Sequence, residues 1–164
     1  MAWTNKDGLV VWFGTELGAT QVSGVTSATP KSLVYKLEDA TALGDTDTAA
    51  AEADAAFIPA GSIITKAYFY VTTVFTSGGA ATLDLGLKQA DGTNISADGI
   101  DADIALTALD ALGDTILCNG AYIADGDLTA LRLTANAYPM ATYETAAFTA
   151  GAGTLIIEYI EIED

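Results

Sequence analysis

Between Ser62 and Thr76 the chain reads Ser-Ile-Ile-Thr-Lys-Ala-Tyr-Phe-Tyr-Val-Thr-Thr-Val-Phe-Thr, and no other stretch limits the fold so strongly. β-Branched and aromatic side chains lose rotamer freedom in a helix and fit a pleated surface well. Alternation assigns Ile63, Ala67, Phe69, Val71 and Phe75 to one face. Ile64, Lys66, Tyr68, Tyr70 and Val74 take the other. Pro59-Ala60-Gly61 forms a turn before this run, and Ser77-Gly78-Gly79 a turn after it. Ala81, Leu83, Leu85 and Leu87 then return opposite Thr82, Asp84, Gly86 and Lys88. The pattern predicts a β-hairpin with a dry face and a mixed face. Aromatic rings on the mixed face imply that something covers part of it.

The rest of the chain is mostly of the same kind. Gly8–Gly14 is a short apolar run between glycines and reads as a buried strand. Val22–Pro30 is a Ser/Thr/Gly loop. In Ser32–Glu38, Leu33, Tyr35 and Leu37 oppose Ser32, Val34, Lys36 and Glu38, a strand with one wetter face. Asp39–Ala56 differs: it carries Asp39, Asp45, Asp47, Glu52 and Asp54 among Ala and Thr, with no base. It reads as a flexible acidic loop (39–56), with an Ala-rich helical turn at Ala49–Ala53 as an alternative. Asp91-Gly92 is a turn. Asp98–Leu112 is the best helix, with Ile100, Ile104, Ala108 and Leu112 on an i, i+4 stripe. Thr115–Cys118 and Thr129–Ala135 read as strands, Ala137–Met140 as a turn, and Tyr143–Phe148 as a weaker strand. Gly151-Ala152-Gly153 precedes a last strand over Thr154–Glu163. About eight strands joined by short Gly/Asp/Ser turns, with one short helix, predict an all-β, jelly-roll-like antiparallel β-sandwich. A length of 164 residues suits one domain spanning 1–164, with an N-terminal arm at 1–7.

Composition narrows function. There is no histidine, so the commonest general base and metal ligand is absent and a Ser-His-acid triad is impossible. The single cysteine, Cys118, allows neither an intrachain disulfide nor a thiolate zinc cluster, and in its apolar strand it reads as an inert buried thiol. No glycine-rich phosphate loop followed by Lys occurs. The formal charge is −16, and the six bases are scattered, which argues against nucleic acid and against anionic membranes. No apolar stretch reaches the ~20 residues of a membrane span. The start shows no basic segment followed by an apolar one, so the chain is expected to be made and folded in a cytoplasm.

The polar clusters have simple readings. Asp91, Asp98, Asp101 and Asp103 bring oxygen ligands of the type calcium favours, but without EF-hand spacing. Capping of the expected helix explains them more simply. Asp125-Gly126-Asp127 reads as a tight turn. Asp84 and Glu158 lie within strand patterns, yet nothing brings them together as a glycosidase pair. Neither a catalytic residue, a metal ligand nor a cofactor site is assigned. The aromatics Trp3, Trp12, Tyr35, Tyr68 and Tyr70 suit sugar stacking, a core or an oligomer contact, with packing the simpler role.

Three stretches resemble cement or decoration proteins of tailed bacteriophages. They are Asn5-Lys6-Asp7-Gly8-Leu9-Val10-Val11-Trp12-Phe13-Gly14-Thr15-Glu16, the run from Ile58-Pro59-Ala60-Gly61 to Thr82-Leu83, and Gly151-Ala152-Gly153-Thr154-Leu155-Ile156-Ile157-Glu158-Tyr159. These are structural phrases and carry no catalytic residue. The resemblance implies a non-enzymatic jelly-roll protein, made in the host cytoplasm, that binds the outer surface of an icosahedral head and bridges major capsid proteins. It also implies a homo-oligomer, dimer or trimer. On that reading Trp3, Thr4, Asn5, Lys6 and Asp7 are candidate capsid contacts, and Tyr68, Tyr70 and Val74 candidate contacts between copies. The competing expectation is a recognition module, either a glycan-binding jelly roll or a receptor-binding piece of a tail fibre.

Overall fold

The computed structural model describes residues 2–4, 10–12, 30–123 and 132–162, with the side chains of the first two segments excepted. Nine strands are described: β1 (Ala2–Thr4), β2 (Val10–Trp12), β3 (Lys31–Leu37), β4 (Ser62–Ser77), β5 (Thr82–Lys88), β6 (Asn94–Ala105), β7 (Thr115–Leu117), β8 (Tyr138–Glu144) and β9 (Phe148–Glu161). β1 and β2 form a two-stranded antiparallel ribbon. The others form two antiparallel sheets, ordered β3-β9-β4-β7 and β6-β5-β8. Their facing sides share one core that includes Phe69, Val71, Phe75, Leu155 and Ile157 from the first sheet and Leu83, Leu85, Leu87 and Ile104 from the second. Phe75 meets Phe69 and Phe148 edge-on, at centroid distances of 6.0 and 5.2 Å.

The sheets make an all-β sandwich, and their strand order is that of a jelly roll with one place empty. Eight jelly-roll strands, counted along a chain, form sheets in the orders 1-8-3-6 and 2-7-4-5. From β3 onward this chain fills every place but the second. Residues 38–61 run where that strand would lie, beside the open edge of β8. Tyr143 N–H donates to the Gly44 carbonyl (3.1 Å), and Ile58 and Ala137 exchange bonds of 2.8 and 2.9 Å at the other end. Before Gly44 lies a 3-10 turn at Ala40–Ala42, which Asp39 caps by accepting from Thr41 N–H, and between Gly44 and Ile58 the acidic stretch is irregular. The Ala-rich segment 49–53 is not helical. Asp and Ala are poor strand formers. β8 itself contains Pro139, which has no N–H to give and is tolerated because β8 is an edge strand.

Several expectations are corrected. The predicted hairpin is not one: β4 pairs with β9 and β7, β5 with β6 and β8, so Ser77-Gly78-Gly79 carries the chain from one sheet to the other. The Asp98–Leu112 helix is absent. Asp98–Ala105 belongs to β6, followed by a 3-10 turn at Leu106–Ala108. Residues i and i+4 share a face in a strand as well as in a helix, so buried Ile100 and Ile104 fit either. Leu112, which the helix would have buried, is exposed. The expected turn Ala137–Met140 instead opens β8. Ile64 belongs to the shared core and Ile63 does not, reversing their assignment, because the register shifts between Ile64 and Lys66. Gly151 and Gly153 lie inside β9. A Cβ on them would come within 2.5 Å of the Phe75 ring and 2.1 Å of the Phe69 ring. Of the expected strand Thr129–Ala135, residues 129–131 lie outside the described ones; Arg132 pairs with Ile63 as an isolated bridge.

Candidate functional site

The outer face of the β3-β9-β4-β7 sheet collects apolar side chains that strand alternation alone leaves scattered. Register aligns Val34 with Ile156, Ile156 with Tyr68, and Tyr68 with Leu117, a row across all four strands. Its two ends are open to solvent: Val34 is 52% exposed and Leu117 61%. The next row is Lys36, Thr154, Tyr70 and Thr115, with Tyr70 43% exposed. The row on the other side holds Ser32, Glu158 and Lys66. The Lys66 ammonium lies 5.2 Å from the Tyr68 ring centroid, and the Tyr68 hydroxyl donates to the Glu158 carboxylate. That hydrogen bond, ahead of desolvation and the Glu158 charge, holds the Tyr68 phenol above its usual range.

Of the candidate contact residues, Tyr68 and Tyr70 do share this face. Val74 is half-buried and lies beyond a register shift between Val71 and Thr73. Trp3 and Thr4 belong to the β1–β2 ribbon, opposite Val11 and Val10. Asn5, Lys6 and Asp7 lie outside the described residues. Val34, Ile156 and Leu117 were missed. Alternation did put Val34 on the wetter face of its strand, but only the strand order brings the three together.

The outer side of the second sheet is closed by the chain itself. Of the four outward residues of β5, Asp84, Gly86 and Lys88 are buried and Thr82 is half-buried. Asp84 accepts from Asp103 N–H at 2.7 Å. Gly86 lies under β6, where a Cβ would come within 2.2 Å of the Ala97 carbonyl oxygen. Lys88 donates to Asp47 at 2.7 Å, which ties the acidic segment down. Asp84 and Asp101, on neighbouring strands, are both pushed above the usual carboxylate range, chiefly by burial. Burial, with the Asp101 charge beside it, pushes the Cys118 thiol up to about 12. It is therefore protonated and unreactive, as expected of a buried thiol.

A cleft of ≈ 400 Å³ separates the β3 edge from the acidic segment, lined among others by Tyr35, Lys36, Ala49, Ala55 and Tyr138. Burial and the nearby Asp47 charge raise the Tyr35 phenol. The cleft lining includes Asp47 and Lys88, joined in their 2.7 Å ion pair. Glu158 and Asp84 belong to different sheets. Among the described residues no three Asp, Glu, Cys or His side chains gather to hold a metal ion, and no helix is long and apolar enough to cross a membrane.

No protein-family model matches the sequence, and no curated protein does. Solved structures do. A chain in the capsid of Ralstonia phage GP4 is similar over 88% of this chain and 92% of that one, with a TM-score of 0.51 and 16% identity. The fold is shared with a phage capsid chain. Chains in the acid-stable capsid of Helicobacter pylori bacteriophage KHP30 (12% identity, TM-score 0.41, 80% of this chain and 93% of that one) and in the cyanophage Pam1 capsid (15%, 0.37, 92% and 98%) are more distantly similar.

Proposed function

We propose that this chain is a non-enzymatic virion protein that binds the outer surface of an icosahedral phage head and stabilises contacts between major capsid proteins. The observation that carries this reading is the fold shared with the GP4 capsid chain over nearly the whole of both. The charge supports the outer surface over the lumen: a chain of −16 is repelled by packaged DNA. On this reading Trp3, Thr4, Asn5, Lys6 and Asp7 reach capsid subunits, while Tyr68 and Tyr70, with Val74 at the margin, face neighbouring copies. Many weak contacts repeated over a shell add by avidity, so no single site need be strong.

Co-sedimentation with undecorated phage heads tests this. The expected result is saturable binding at a fixed ratio to the major capsid protein. Absence of binding to intact heads rejects it, and a glycan screen then becomes the next experiment, because exposed Tyr70 offers a ring for sugar stacking.

A further inference from the structure

We infer that the outer face of the β3-β9-β4-β7 sheet is a two-fold contact between two copies of this chain. Charge points to a second copy meeting this face in particular. The acidic stretch from Glu38 to Asp54 carries six carboxylates and no base, so contact through it sets acid against acid. Across the three central rows of this sheet stand two lysines, Lys36 and Lys66, against the one carboxylate of Glu158. Here two strongly acidic molecules approach at less electrostatic cost than through the acidic stretch.

The register also makes the face self-complementary. Place a two-fold axis in the contact plane, parallel to the strands and midway between β9 and β4. It lays β3 over β7 of the second copy and β9 over its β4, row upon matching row. Val34 then meets Leu117, an aliphatic end on an aliphatic end. Ile156 meets Tyr68, and Thr154 meets Tyr70. Glu158 meets Lys66, twice over by symmetry. The centre is apolar and aromatic and the flanking rows are polar, the usual anatomy of a protein interface. Strand order alone assembles the rows, since no strand supplies more than one residue to a row.

Area sets the strength. Four strands ~4.8 Å apart and three rows ~6.8 Å apart cover about 400 Å² per copy. Twice that is below the ~1,200 Å² at which specific contacts become durable. The free protein therefore associates weakly and reversibly, and the contact becomes lasting where an array holds copies close together. The inference deepens the virion reading and rests on it only for where copies meet. Self-association is read on the free protein, so it and head binding fail separately.

The test is sedimentation equilibrium of the full chain from about 10 μM to about 1 mM, the range in which a contact this small dissociates. Reversible dimerisation is expected. Leu117→Asp, at an exposed edge position, should abolish it with an unchanged circular dichroism spectrum and melting temperature. Lys66→Glu should abolish it by setting a second carboxylate against Glu158 of the other copy. Lys66→Glu combined with Glu158→Lys should restore it; because the two residues also face each other across β4 and β9 within one chain, the rescue is read as dimerisation with single variants whose melting temperature is unchanged. A wild-type chain that stays monomeric to about 1 mM overturns the inference. So does a dimer indifferent to both Leu117→Asp and Val34→Asp.

Discussion

The two sheets of this sandwich share a core and differ on their outer sides. On the β3-β9-β4-β7 sheet Val34, Tyr70 and Leu117 stand in solvent. In the β6-β5-β8 sheet, β5 is buried on both sides: Asp84 is held by Asp103, Gly86 by the Ala97 backbone, and Lys88 by Asp47. One sheet spends its outer face on its own fold, while the other leaves that face for contact. The difference teaches that polarity alone does not identify a surface. The two charged residues that face outward from β5 are buried, and the leucine facing outward from β7 is exposed.

Substitution should break this contrast in graded steps. The largest effect is expected at Gly86. Gly86→Ala drives a methyl into the Ala97 carbonyl, which is backbone and cannot rotate away, and should cost about 3 kcal/mol in urea unfolding. Next comes Asp47→Ala, which leaves buried Lys88 without its carboxylate. The expected loss is about 2 kcal/mol, since Asp47 is itself partly exposed, and it should persist in high salt.

A third prediction concerns pH. The native carboxyls of Asp84 and Asp101 sit above their ordinary values, so protonation favours the folded state. Their favourable contribution is fully present below the ordinary carboxylate range and is lost as pH rises through the raised native values. Asp84→Asn keeps an acceptor for Asp103 N–H and removes the charge. It should raise the urea midpoint at neutral pH and flatten the stability profile on the acidic side. A midpoint that falls at neutral pH would refute this account of Asp84. The smallest effect belongs to the open face: Val34→Thr should shift stability by less than about 0.5 kcal/mol, measured in the same unfolding assay. A loss as large as that of Gly86→Ala would mean that the face is covered within one molecule.

Strand content was legible because period-2 alternation is local. Sheet membership was not, because nothing in Ser77-Gly78-Gly79 tells a hairpin from a crossing between layers. The false helix has a similar origin: Ile100 and Ile104, four apart, satisfy both periodicities. Single inserted residues did the remaining damage. The shift beyond Ile64 exchanged the faces of Ile63 and Ile64. Tyr68 and Tyr70 were readable as aromatics on a wet face. Their row was not, since Ile156 and Leu117 join it only through pairing with strands far away in sequence.

The vacant second place of the jelly roll bears on how such a protein survives at high concentration. An open sheet edge is a template on which another chain can add, and repeated addition makes fibres. Each of the four edges here resists that growth differently. β8 carries a proline and lies beside an irregular acidic segment, β3 begins and nearly ends on lysine, β7 is three residues long, and β6 is broken by register shifts. Lateral strand-by-strand growth is thus hindered at each edge of the sandwich. A contact through the open face of the β3-β9-β4-β7 sheet would instead end with the second copy.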